Sequence, residues 1–299
     1  MDLTDRERLP YGGFIPTSNK YDAAMPSDDS PTAGLSFERI RHFRPLEARH
    51  AIRRGDWPRS TAGLSDGHAQ ANLAIIPARY ADDFLRFCMA NRAACPLLDV
   101  TQPGDPHPVS LGEDIDLRSD VPRYRIYEHG RLVAEPGEIG EFWQDDLVSF
   151  SIGCSFSFEG ALMQDGIELR HITHQRVVPM YRTNIELVGA GPFTGTMVVS
   201  MRAMPPRDAI RAVQITTDMP SVHGAPVHLA EPGQIGITDL MQPDFGDPPV
   251  IENGDIPVFW ACGVTPQVAL MNAGLPFAIT HAPGHMLITD IPNSRLKYR

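Results

Sequence analysis

The residues best suited to do chemistry lie in three short runs. The first is Gly153-Cys154-Ser155-Phe156-Ser157, where an apolar stretch turns into a helical one. A helix start offers unpaired backbone N–H groups and a partial positive charge. It therefore favours an anion and can lower the pKa of Cys154. The run resembles a nucleophile elbow, but Ser157 stands where that motif has its last glycine, which argues against a serine hydrolase. The second run, His281-Ala282-Pro283-Gly284-His285, carries two imidazoles that suit general acid–base work. Their spacing is that of a helical zinc pair, yet Pro283 and Gly284 break the helix. Hydrogen-bonded loop histidines are the preferred reading, with a loop-built metal site as the lesser alternative. The third run, Met180-Tyr181-Arg182-Thr183-Asn184, sets a guanidinium among hydroxyl and amide donors. A planar guanidinium grips a carboxylate through two parallel hydrogen bonds. Gly189 to Gly195 approximates a dinucleotide fingerprint but is one residue too long and contains Pro192, so it reads as a surface turn.

Composition narrows the field. The 299 residues carry 26 Lys+Arg against 37 Asp+Glu, a formal charge of −11, which disfavours nucleic acid as a partner. Lys20 and Lys297 are the only lysines, which disfavours Schiff-base chemistry and the lysine-bearing phosphate loop. Cys88, Cys95, Cys154 and Cys262 form no C-x-x-C pair and read as reduced, buried thiols. The amino terminus is charged and lacks a secretory core, and no apolar run approaches the about 18 residues of a membrane helix. The expectation is a soluble, cytoplasmic protein with no membrane partner.

The elements that must position these runs interleave. Helices are expected at Pro45 to Arg54, around Tyr80 to Cys88, at Phe156 to Gln164, at Pro205 to Thr216 and from Thr265 to Gly274. Strands are expected at 72–76, 97–100, 147–152, 196–201, 256–260, 277–279 and 286–288, with a hairpin around Glu128-His129-Gly130. The class is α/β in the mixed α+β sense, in two parts. A discontinuous layered α/β domain is expected over 46–150 plus 237–299, with a smaller α+β domain inserted at 151–236. Residues 1–45 read as an N-terminal extension, mobile or packed on a partner subunit.

Further segments recur in a fixed order: CPLLDVT at 95–101, DVPRYR at 120–125, IGCSFSFE at 152–159, VPMYRTN at 178–184, VHGAPVH at 222–228, PDFGD at 243–247, VFWACGVTPQ at 258–267 and ITHAPGHMLITD at 279–290. Taken together they resemble the D-glutamate cyclase family, whose bacterial members are named as hydro-lyases. The resemblance covers nearly all of the chain after the first 45 residues. It implies a fold of two α/β parts and a conversion of D-glutamate, or a similar small acid, to 5-oxo-D-proline with loss of water.

That chemistry needs a cation for the substrate carboxylate, and Arg182 is the leading candidate, supported by Tyr181 and Asn184. It needs a hold on a tetrahedral oxyanion, for which the Gly153 turn with Ser155 and Ser157 is the candidate. It needs proton carriers, for which Glu159 with His281 or His285 is preferred, and Asp247 and Asp290 are further options. Cys154 is either a covalent nucleophile or a polar lining group. Because the reacting groups are tethered, no organic cofactor is expected. The alternatives are a metal-assisted hydratase or dehydratase and a non-catalytic carrier of a small acid. A homo-dimer is the base-rate expectation.

Overall fold

A computed structural model describes residues 35–174 and 176–297. Residues 1–34 of the expected extension lie outside them.

The chain opens with a helical turn, α1 (Phe37–Ile40), and with α2 (Pro45–Arg53), which starts at a proline whose missing N–H costs nothing in the first turn. There follow β1 (His68–Pro77), α3 (Ala81–Ala90), β2 (Leu97–Val100), the hairpin β3 (Tyr124–Glu128) and β4 (Arg131–Ala134), β5 (Leu147–Gly153), α4 (Phe156–Gln164) and the single turn α5 (Arg170–Thr173). Next come β6 (Met180–Glu186), β7 (Thr196–Met204), α6 (Pro206–Thr217), β8 (His228–Leu229), β9 (Ile256–Ala261) and α7 (Val264–Ala273). The last strands are β10 (Ala278–His281) and β11 (Leu287–Pro292).

These strands form two antiparallel sheets, so the mixed α+β class read from the sequence is the observed one. The first has the order β2-β5-β1-β10-β3-β4, with β11 also pairing β1. β1 is its spine: buried along nearly all its length, it bonds β5, β10 and β11. That explains its long apolar run, and its two buried polar side chains are consumed inside. Gln70 bonds Thr61, and Asn72 donates to the Gly153 carbonyl at 3.0 Å. The second sheet has the order β6-β7-β9-β8 and is inserted between β5 and β10. Its strand β9 lies beyond residue 236, so the chain returns to the first sheet only after α7.

Three apolar clusters join these layers. Phe84, Phe87, Phe150 and Phe193 pack in edge-to-face and tilted pairs under α3 and α7. Phe158 and Leu162 of α4 pack on Trp260 of β9 and Ala212 of α6. Met180, Val198, Cys262 and Val268 close the space between β6 and α7. The β3–β4 turn sets His129 and Gly130 at φ +49° and +74°, the left-handed pair that a tight hairpin requires.

At Gly153 a Cβ would lie 2.0 Å from the Ser221 carbonyl oxygen, so glycine is needed there for packing between β5 and the loop after α6. Gly153→Ala is expected to cost about 3 kcal/mol of stability by overpacking, read as a lower urea midpoint at unchanged slope.

Candidate active site

β7 is the second strand of a four-stranded sheet and is covered on both sides, so Arg202 near its end is only 2% exposed. A buried guanidinium needs partners. It finds them in Glu159 of α4 at 2.5 and 3.1 Å, Ser155 Oγ at 3.1 Å and Ser200 Oγ at 2.9 Å. It also lies over the rings of Phe158 and Trp260, 4.9 and 5.3 Å from their centroids. His171 of α5 places Nε2 3.0 Å from the same Glu159 oxygen. Burial alone would raise the Glu159 pKa, but the charge of Arg202, the His171 ring and their hydrogen bonds outweigh it and hold the carboxyl at about 2. Glu159, expected as a proton carrier, is therefore an anion at neutral pH, held by Arg202 with the His171 ring beside it.

The β5–α4 turn likewise turns inward. Gly153 N–H donates to Pro96 O, and the N–H groups of Ser157 and Phe158 return to Cys154 O and Ser155 O. Cys154 accepts the Phe156 N–H, yet burial dominates and pushes its thiol up to about 12. The lowered pKa expected at a helix start is absent because burial of the thiol outweighs the Phe156 N–H. Cys262, at the parallel β9–α7 turn, accepts the Val264 N–H and is pushed up to about 11 by burial. Ser155 is held by Arg202, and Ser157 Oγ is buried without a hydrogen-bond partner.

The two histidines of the third candidate set are both held neutral. His281 is 2% exposed, and burial lowers its pKa to about 3. Its Nδ1 accepts the Leu73 N–H at 3.0 Å, and the Gln267 amide lies 3.1 Å from Nε2. His285 is half-buried, bonds Pro283 O through Nδ1 at 2.8 Å, and is held below the usual histidine value mainly by burial. A ring with a pKa near 3 is neutral at neutral pH. Asp290 is engaged elsewhere: it takes the fully buried Arg49 at 2.8 Å.

An open cleft lies between β3 of the first sheet, β6 of the second and α7. It encloses about 580 Å³, part of it open to solvent, and is lined by Arg125, Met180, Phe245, Asp247 and Gln267 with the apolar side chains of α7. The Arg125 Nε donates to Glu135 at 2.6 Å, which orients the guanidinium. Asp247 accepts the Val177 N–H through Oδ2 at 2.7 Å. Arg182 is half-exposed, 3.9 Å from Asp244, and lies over the Phe245 ring, 5.4 Å from its centroid. Tyr181 points the other way: its hydroxyl donates to Leu240 O at 2.6 Å and its ring packs on Phe259. Asn184 is exposed, with Nδ2 3.5 Å from Gln234 O.

The structure thus joins Ser155 and Glu159 through Arg202 in one buried network, with Cys154 buried next to Ser155 and Arg182 over the Phe245 ring. Sequence reasoning missed Arg202, Arg125 and Gln267. The signal for Arg202 was a lone charge following the apolar run Met197 to Met201, and for Gln267 the end of the VFWACGVTPQ segment. Among the described residues no three His, Cys, Asp or Glu side chains are grouped to hold a metal ion, and no helix is long and apolar enough to cross a membrane.

Removing one partner of the buried pair strands the other. Arg202→Met is expected to cost about 3–5 kcal/mol, and the double variant Glu159→Leu/Arg202→Met to recover much of it in a double-mutant cycle by urea unfolding. A second expectation concerns pH. His223 is buried with its backbone at φ +83°, donates from Nδ1 to Ala93 O, and is lowered by burial to about 4. With His281 at about 3, both rings are neutral when folded but protonate near 6.5 when unfolded. Their contribution is full above pH 6.5 and is lost as pH falls toward 4 and 3. His223→Asn, which tolerates the left-handed backbone, should flatten the decline of the urea midpoint between pH 6.5 and 4.

The family model described as D-glutamate cyclase matches residues 148–290. A protein named "Putative hydro-lyase" from Rhizobium johnstonii is 59% identical over 252 residues, spanning 84% of this chain and 94% of its own length. A namesake from Bordetella petrii is 57% identical over 249 residues, spanning 83% and 94%. Among solved structures, a nitrogen repressor-like protein from Methanococcus jannaschii is similar at 12% identity and a TM-score of 0.35, covering 79% of this chain and 91% of that one.

Proposed function

We propose that this chain, which belongs to the D-glutamate cyclase family of hydro-lyases, closes D-glutamate, or a small amino acid of the same charge pattern, onto itself. The amine nitrogen attacks the side-chain carboxyl carbon, a C–N bond forms and a C–O bond breaks. Two protons move from nitrogen to the departing oxygen, which leaves as water, and the product is 5-oxo-D-proline.

The observation that supports this reading is the Arg125 guanidinium in the lining of one largely apolar cleft, with Arg182 over the ring of Phe245, another lining residue. Arginine holds carboxylates in fixed orientation, which bends a tethered substrate into attack geometry. Asp247 lines the cleft and supplies a carboxylate that takes a proton from the ammonium and returns it to the leaving oxygen. The apolar wall of Met180, Val264 and Val268 limits water, which favours expulsion of the product water and protects the new amide. The Arg202–Glu159 network sits behind this wall and keeps β7 and α4 in place.

Incubation of the purified chain with D-glutamate, followed by chiral chromatography, is expected to show 5-oxo-D-proline. Arg125→Ala and Arg182→Ala are each expected to lower kcat/KM about 100-fold, roughly 3 kcal/mol. Binding of D-glutamate without product at high enzyme concentration would favour the carrier alternative.

A further inference from the structure

The loop that leads into β9 ends in a four-residue turn, Glu252-Asn253-Gly254-Asp255. Its two ends are tied twice. The Asp255 N–H donates to Glu252 O at 3.1 Å, and the Glu252 N–H donates to Asp255 Oδ2 at 3.0 Å. Arg170 of α5 fastens the same carboxylate with Nε and Nη2, each at 3.3 Å, and reaches Glu252 at 2.9 Å. The tip between these ties is unengaged. Asn253 and Gly254 are exposed, and among the described residues neither the Asn253 carboxamide nor the Gly254 N–H has a hydrogen-bond partner. Gly254 takes φ +91° as the third residue of the turn, and a Cβ there would meet nothing within 4 Å. This is the only Asn-Gly pair in the chain. The other described asparagines precede Leu73, Arg92, Ile185, Ala273 and Ser294, whose side chains crowd the following nitrogen; glycine alone lets it approach closely.

We propose that Asn253 is a site of spontaneous covalent modification, at which the Gly254 nitrogen attacks the Asn253 side-chain carbon and the turn becomes an isoaspartyl linkage. The Gly254 nitrogen gives its proton to a solvent base and forms a bond to Asn253 Cγ. The Cγ–Nδ2 bond breaks, and ammonia leaves with a proton taken from water. Water then opens the five-membered imide. Cleavage at the main-chain carbonyl leaves isoaspartate, and cleavage at Cγ leaves aspartate. Water is the only co-reactant, and the step is independent of the cleft. Either product sets a new carboxylate beside Glu168, Glu252 and Asp255, which all pair with Arg170. The isoaspartyl form also adds a methylene to the backbone inside the turn. The ties between Glu252 and Asp255 then no longer fit, and Asp255 loosens from Arg170.

The test ages the full chain in mildly alkaline buffer and maps its peptides by mass spectrometry, with electron-transfer fragmentation to separate isoaspartate from aspartate. The peptide holding Asn253 is expected to lose ammonia and gain water, with isoaspartate as the larger product. Asn253→Gln, which would have to close a six-membered ring, is expected to lose the conversion. The chain aged unfolded in urea is expected to convert as well. The chain aged folded is expected to show a lower urea midpoint, and Asn253→Gln aged in parallel is expected to keep its own. Conversion of the unfolded chain alone, or of neither, overturns the modification site. Conversion of the folded chain with an unchanged midpoint, or with an equal fall in Asn253→Gln, overturns the loosening of Arg170.

Discussion

The contact on which the rest of this molecule depends is the buried pair of Arg202 and Glu159. Arg202 belongs to β7 of the second sheet, and Glu159 to the helix that leaves the first sheet at β5. One ion pair therefore clamps the two sheets together at the level of the β5–α4 turn. The desolvation of two charges is offset by two serine hydroxyls, the nearby His171 ring and two aromatic faces. A pair so bound gains its strength from being closed.

Local punctuation explains what could be read from the chain. Pro45 and Pro206 at helix starts and Gly274 after α7 mark boundaries through rules that act over a few residues. The Glu128-His129-Gly130 turn marked its hairpin in the same way. Sheet order was not legible, because β1 finds its partners in β5, β10 and β11, which lie far away in sequence. The run at Met180 to Asn184 was read for its side chains, and it proved to be an edge strand of the second sheet.

The same distinction applies to the site. Residue types that do chemistry were visible, but their ionisation depends on what surrounds them. Cys154 and Glu159 sit one helical turn apart, and burial moves the thiol up while charge moves the carboxyl down. Neither direction follows from the order of residues. Arg202 escaped notice because the strand was expected to stop at Met201, which left the arginine in a presumed gap before α6. The extended pairing of β7 with β9, through Met204 opposite Ile256, carries the charge into the interior.

The central place of β1 has a consequence for how the protein is made. Its neighbours on one side, β10 and β11, emerge from the ribosome some two hundred residues after it. Until then the nascent chain carries a long apolar strand with an open edge, the kind of surface that invites wrong pairing. Folding must wait for this late closure, so assembly of the first sheet should be slow and chaperone-assisted, with the intervening second sheet completed earlier.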